Sequence, residues 1–243
     1  LKNTPKHLTM KVLLKSLLLV TLLSQFIFST CEKETVAEQP EEDIIKDSVT
    51  ISDTVVLNPH HNPGEVHIFG NPYLDQTYPD AVEILGGAGT YDGVLTTIRA
   101  VLKFGQDTLP QDVEVQSAKL TLYSNPTPLN GNNGNANIGN DNSLLIQRVT
   151  SSWDTATIKW ANQPATTTEN EITVPHTNVP FEDIIDLDVT QLVKDIQSNI
   201  NYGVLIRLKN EEPYNFRIFC SSKYEDETKH PKLEIIYTKK VPA

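Results

Sequence analysis

The stretch Thr96-Thr-Ile-Arg-Ala-Val-Leu-Lys-Phe104 sets Ile98, Ala100, Leu102 and Phe104 against Thr97, Arg99, Val101 and Lys103. Side chains that alternate with a period of two belong to an extended backbone with one apolar face. The same period recurs in Ala118, Leu120 and Leu122 against Lys119, Thr121 and Tyr123, and in Val204, Ile206 and Leu208 against Leu205, Arg207 and Lys209. It returns in Phe216, Ile218 and Cys220 against Arg217, Phe219 and Ser221, and finally in Leu233, Ile235 and Tyr237. Pro, Gly and Asn clusters separate these runs, and the chain carries 15 prolines. The pattern predicts an all-β, jelly-roll-like β-sandwich.

One segment departs from it. Leu187–Asn199 spaces Leu192, Val193 and Ile196 at helical intervals, and Asp188 followed by Gln191 reads as a capping box. One short helix is expected over an end or edge of the sandwich. The Asn- and Gly-rich run 129–142 reads as a long loop, and its lone carboxylate, Asp141, is too little for a calcium site.

The N-terminal region has a different character. Met10 opens a basic segment with Lys11 and Lys15, followed by an apolar run from Leu17 to Phe28. Such a run is too short for a membrane span and reads as a secretory signal. Phe28-Ser29-Thr30-Cys31 resembles a bacterial lipobox, and Cys31-Glu-Lys-Glu resembles the mature start of Bacteroidetes lipoproteins. The resemblance implies a diacylglycerol on Cys31, hence an exported, membrane-anchored protein at the outer membrane or cell surface. The expected organisation is a signal peptide at 1–30, an acidic flexible linker at 31–52, the sandwich at 53–238 and a tail at 239–243.

Charge narrows the partners. Lys and Arg number 20 against 31 Asp and Glu, a formal charge of −11, and removing residues 1–30 takes away only cations. Nucleic acid is not an expected partner.

Both tryptophans lie within Ser152–Pro164, "SWDTATIKWANQP". Ala156, Ile158 and Trp160 share a parity, which turns Trp160 inward on an extended reading, and Trp153 would wedge between the sheets. The pair reads as framework rather than as a sugar platform. Its neighbours in order are "RAVLKF" (99–104), "LPQDVEVQSAKLTLY" (109–123), "VTSSWDTATIKWANQP" (149–164), "DVTQLV" (188–193), "NYG" (201–203) and "PKLEIIY" (231–237). That ordered set resembles the DNRLRE-domain proteins, grouped with carbohydrate-binding module family 96 and related to a domain of archaeal disaggregatases. Gly105, Asp154-Thr155 and Lys159 depart from the family pattern. The resemblance implies a β-sandwich that binds polysaccharide, in a family whose members also occur appended to lyases and disaggregating enzymes.

Catalytic motifs are not visible. The chain holds no G-x-S-x-G and no H-E-x-x-H. Cys220 reads as a small buried apolar residue. His60, His61 and His67 could in principle bind a metal, but the segment reads as a turn entering an edge strand. Glu182, Asp183, Asp186 and Asp188 precede the helix and read as loop and helix-start charges rather than as a glycosidase pair. No cofactor and no metal are expected.

The expected ligand residues are cationic. Arg99, Lys103, Arg207, Lys209, Arg217 and Lys223 fall opposite the aliphatic parity, with Tyr123 and Phe219 available for stacking. On neighbouring strands they would form a basic stripe suited to an anionic polysaccharide, a uronan or a sulfated glycan. The alternative is that acids pair with them, for example Glu225 with Arg99. The expected function is non-catalytic polysaccharide binding at the cell envelope. A structural or adhesive module with a protein partner is the second expectation, and a polysaccharide-degrading enzyme the third.

Overall fold

The computed structural model describes residues 48–59, 64–105, 109–110, 112–127 and 134–242. The signal, Cys31, most of the linker, His60 and His61 lie outside the described residues, as does the start of the Asn/Gly run.

Strands β1 (Ser48–Leu57), β12 (Lys232–Pro242), β5 (Val113–Leu122) and β9 (Ile184–Asp188) form a four-stranded sheet in that order. The second sheet has eight strands. Its order is β6 (Asn137–Ile138), β11 (Asn215–Cys220), β3 (Glu83–Tyr91), β4 (Val94–Leu102), β10 (Val204–Leu208), β7 (Leu144–Val149) and β8 (Thr166–Val174), with β2 (Glu65–Phe69) also paired to β4. Every pairing is antiparallel. The all-β sandwich read from the periodicity is the observed architecture.

The main core lies between the sheets. Ala100, Leu102, Ile146, Val204, Ile206 and Phe219 of the larger sheet meet Val115, Ala118, Leu120, Leu122, Leu233 and Ile235 of the smaller one. These are the alternating residues of the sequence, removed from water in two facing layers. The single α-helix described, α1 (Thr190–Gln197), buries Leu192, Val193 and Ile196 against this core. Its start differs from the expected capping box. Val189 is the N-cap, while Asp188 Oδ1 accepts from Thr190 N at 2.9 Å, and the Gln191 side chain donates to Asp195. Thr190 competes for Asp188 because its hydroxyl also donates to Asp188, at 2.6 Å.

The larger sheet is also covered on part of its outer face. Val66, Ile68, Val101, Val149, Ile158 and Leu205 form a second apolar cluster, with Trp153 and Tyr202 packed on it. Trp153 packs as framework, but on the outer face of the larger sheet rather than between the sheets as expected, and its Nε1 donates to the Tyr202 carbonyl at 2.7 Å. Trp160 corrects the expectation. Residues 155–157 are a turn and Trp160–Asn162 a 3-10 turn, so the parity argument fails and Trp160 stays half-buried outside the main core. Asp154 causes the departure. Its Oδ1 accepts from Ala156 N at 2.9 Å and its carbonyl from Ile158 N, closing a turn where extended backbone was expected.

Trp153→Ala should lower stability by about 3 kcal/mol, from lost apolar contact plus the Tyr202 hydrogen bond. Trp153→Phe should cost roughly half of that. Urea unfolding curves for the two variants separate the contributions.

Within the Asn/Gly run, Asn137 and Ile138 pair with Arg217 and Phe216 as a short strand, where only loop was expected. Asn137 Nδ2 donates to the Val179 carbonyl at 2.8 Å, which anchors the segment.

Candidate functional site

Strand β4 carries Arg99 and strand β10 carries Arg207. Their antiparallel register sets Leu205 opposite Val101 and Ile206 opposite Ala100, so the arginines follow on the outer face at neighbouring positions. On the far side of β10, Leu205 stands opposite Gln147 of β7. Arg99, Arg207, Gln147, Leu205, Gln163 and Thr166 line an open depression of about 460 Å³, together with Pro164 and Ala165.

The two guanidiniums differ electrostatically. Arg99 is held on every side: Nε and Nη2 donate to the Glu211 carboxylate at 2.7 and 2.8 Å, and Nη1 donates to Gln163 Oε1 at 2.7 Å. Its guanidinium also lies 4.6 Å above the Trp160 ring. A bidentate carboxylate largely cancels its charge. The expected partner was Glu225; the observed one is Glu211, brought in by the loop after β10. Arg207 has no carboxylate in ion-pair contact among the described residues. Its Nη1 donates to the Leu208 carbonyl at 3.0 Å and its Nε reaches Gln147 Oε1 only at 3.5 Å. Gln147 is fixed in turn, accepting from Thr166 Oγ1 at 3.1 Å and donating to Glu171 at 2.7 Å. The depression therefore offers a half-buried, uncompensated guanidinium among amides and a hydroxyl.

The other sequence candidates are elsewhere. Arg217 was expected to face water and is only 1% exposed. It shares parity with Phe219, which belongs to the main core, while Phe216 and Ile218 pack under a third cluster with Leu85, Ala136 and Ile138. Strand β11 is covered on both faces, so alternation could not tell inside from outside. Arg217 Nη1 donates to the Pro175 carbonyl at 3.3 Å, and burial lowers its pKa. Phe219 is fully buried and cannot stack on a ligand. Tyr123 is half-buried under Lys229, whose Nζ lies 4.7 Å from the ring centroid. Lys103 directly follows β4, its N–H donating to the Gly64 carbonyl. Lys223 is exposed beside a separate depression of about 230 Å³ with Glu65, Asp80 and Ser222. The candidates do not form one stripe; Arg99 and Arg207 alone share a depression.

Sequence reasoning passed over Gln147, Gln163, Thr166 and Glu211. Gln147 did carry a signal, since it interrupts the apolar run Leu144-Leu-Ile-Gln-Arg-Val149 on the outward parity.

The groups considered for catalysis have structural employment. Cys220 is fully buried, and desolvation pushes its thiol up to about 11, away from the thiolate a nucleophile needs. Asp183 accepts from Ser124 N at 2.7 Å and Asp186 lies 3.7 Å from Lys119 Nζ. His67 accepts from Leu85 N through Nε2 at 3.1 Å in the interior. Among the described residues no cluster of three or more His, Cys, Asp or Glu could hold a metal ion.

Comparison with known proteins gives one family. The family model of carbohydrate-binding module family 96 matches residues 91–237, the span that contains β4, β7, β10 and the depression. No curated protein matches the chain.

Proposed function

The chain belongs to carbohydrate-binding module family 96, and from that premise we propose that it binds an anionic polysaccharide, without catalysis, in the depression on the outer face of its larger sheet. The observation that carries the reading is Arg207, a guanidinium that no carboxylate among the described residues pairs with, beside Gln147, Gln163 and Thr166. A uronate or sulfate would take the free guanidinium edge, and the amides would meet ring hydroxyls. The open form of the depression suits a section of a long chain rather than an enclosed small molecule. In this reading a lipid on Cys31 holds the module at the envelope, where it retains polysaccharide for separate enzymes.

Affinity electrophoresis in alginate, pectin and chondroitin gels tests the proposal. The wild type should be retarded in at least one gel, less so as salt rises, because screening weakens exposed charge pairing. Arg207→Gln, with its fold intact, should bind at least about 10-fold more weakly, the scale of one lost charge-assisted pair. Unchanged mobility of the folded wild type in every gel would refute it. Glu211→Gln should act in the opposite direction, tightening binding a few-fold, because it releases the charge of Arg99 toward the ligand.

A further inference from the structure

A second surface of the molecule exposes aromatic rings. The loop after β2 and the β3–β4 hairpin bring together Phe69, Tyr73, Tyr78 and Tyr91. Ring centroids are 4.8 Å apart for Phe69 and Tyr78 and 5.2 Å for Tyr73 and Tyr91, with interplanar angles of 59° and 63°. Tyr78 and Tyr91 remain 42% and 50% exposed, with Leu74, Val94 and Leu95 also open to water. Large aromatic surface left in water beside a well-filled core points to a ligand.

The rings are held in position. Gly70 N donates to the Thr97 carbonyl at 2.7 Å, Tyr73 N to the Gly70 carbonyl and Gln76 N to the Tyr73 carbonyl, which ties the loop to β4. The hairpin turns at Asp92 and Gly93, both at positive φ, the tight geometry that sets Tyr91 at the strand end. The rings are tilted rather than coplanar, so they offer both ring faces and ring edges along this surface.

The charge around the rings selects the ligand. Asp92 is close enough to act on Tyr73, whose hydroxyl titrates above the ordinary tyrosine range; desolvation is the main cause, followed by hydrogen bonding to Tyr91 and the charges of Tyr91, Tyr78 and Asp92. Asp75 of the loop is ion-paired with Lys159 at 2.8 Å, so Asp92 of the hairpin is the carboxylate that acts on the rings. Uronates and sulfates would be repelled here. An uncharged sugar would not: its C–H face packs on phenol rings, and its hydroxyls can donate to carboxylates.

We propose that the Tyr73, Tyr78 and Tyr91 cluster is a second carbohydrate subsite, which takes an uncharged pyranose. It is distinct from the arginine depression but close along the surface, since Leu74 of this loop accepts a hydrogen bond from Trp160 N at 3.2 Å and Trp160 underlies Arg99.

Affinity gels of neutral galactan, mannan and glucan test the subsite independently of the acidic gels. The wild type should be retarded in at least one neutral gel. Tyr91→Ala and Tyr78→Ala should each weaken that retardation about 10-fold, whereas Tyr91→Phe should retain most of it, because the ring supplies the contact. Arg207→Gln should leave neutral binding unchanged. Absence of retardation in every neutral gel would overturn the subsite, and so would retardation that the folded alanine variants leave intact. Neither result would touch the acidic-glycan reading, which stands or falls on the uronate and sulfate gels.

Discussion

Gly203→Ala is expected to destabilise the protein by about 4 kcal/mol or more, among the largest effects a single methyl group can have. Gly203 sits at φ 84°, a left-handed conformation that costs an L-residue roughly 1–2 kcal/mol. The space matters more. A Cβ there would collide with the Leu102 carbonyl oxygen and crowd the Lys103 backbone, neither of which can rotate away as a side chain would. Gly203 also leads into β10, its N–H donating to Asn201 Oδ1 at 3.0 Å and its carbonyl accepting from Val149 N at 3.0 Å. Displacing it would shift β10 against β4, the two strands that carry Arg207 and Arg99. Gly93→Ala is the control. Gly93 has φ 76° but open space where a Cβ would stand, so the conformational cost alone should appear, about 1 kcal/mol. Equal losses in urea unfolding of the two variants would show that the close approach at Gly203 has been misjudged.

Acid is expected to destabilise the fold through His67. Complete burial lowers its pKa from 6.5 to about 4, because the interior cannot solvate an imidazolium and Nε2 is already accepting from Leu85 N. The folded state holds the neutral ring while the unfolded chain takes up a proton below pH 6.5. The contribution of His67 is therefore complete above pH 6.5 and declines as pH falls toward 4. The loss approaches on the order of 3 kcal/mol at the acid end. Glu65 works in the opposite direction. Burial raises its pKa, against hydrogen bonds from Ser222, so its protonation in the folded state offsets part of the loss near the acid end of that window. His67→Gln, which keeps an acceptor and removes the titration, should flatten the pH dependence between 6.5 and 4. Stability curves with identical acid slopes in wild type and variant would contradict this account.

Strands were legible where the alternating apolar residues face the other sheet, even though Val101 of β4 is also buried on the outer face. Ala100 and Leu102 of β4 and Leu120 and Leu122 of β5 lie in the core as their alternation requires. The helix was legible from Leu192, Val193 and Ile196. Legibility failed on β11, where both parities carry large apolar residues beside Arg217: Phe219 enters the core while Phe216 and Ile218 pack on the other side. It failed at Trp160 because a carboxylate two residues before Ala156 closes a turn that period-two counting cannot register. The site was half legible. Charge drew attention to Arg99 and Arg207, but their adjacency depends on β4 lying beside β10, a long-range pairing that no local pattern encodes. Glu211 distinguishes the two arginines, and its approach is set by the loop that follows β10 rather than by any strand parity.

The central claim is that a glycan lies across the depression of Arg207. Chemical-shift mapping with a defined uronate oligosaccharide addresses it directly. The perturbed amides and side-chain groups should centre on Gln147, Gln163, Thr166 and Arg207, and in Arg207→Gln they should need at least about 10-fold more oligosaccharide to appear. Shifts confined to the smaller sheet of β1, β12, β5 and β9, or unchanged spectra at saturating oligosaccharide, would contradict it.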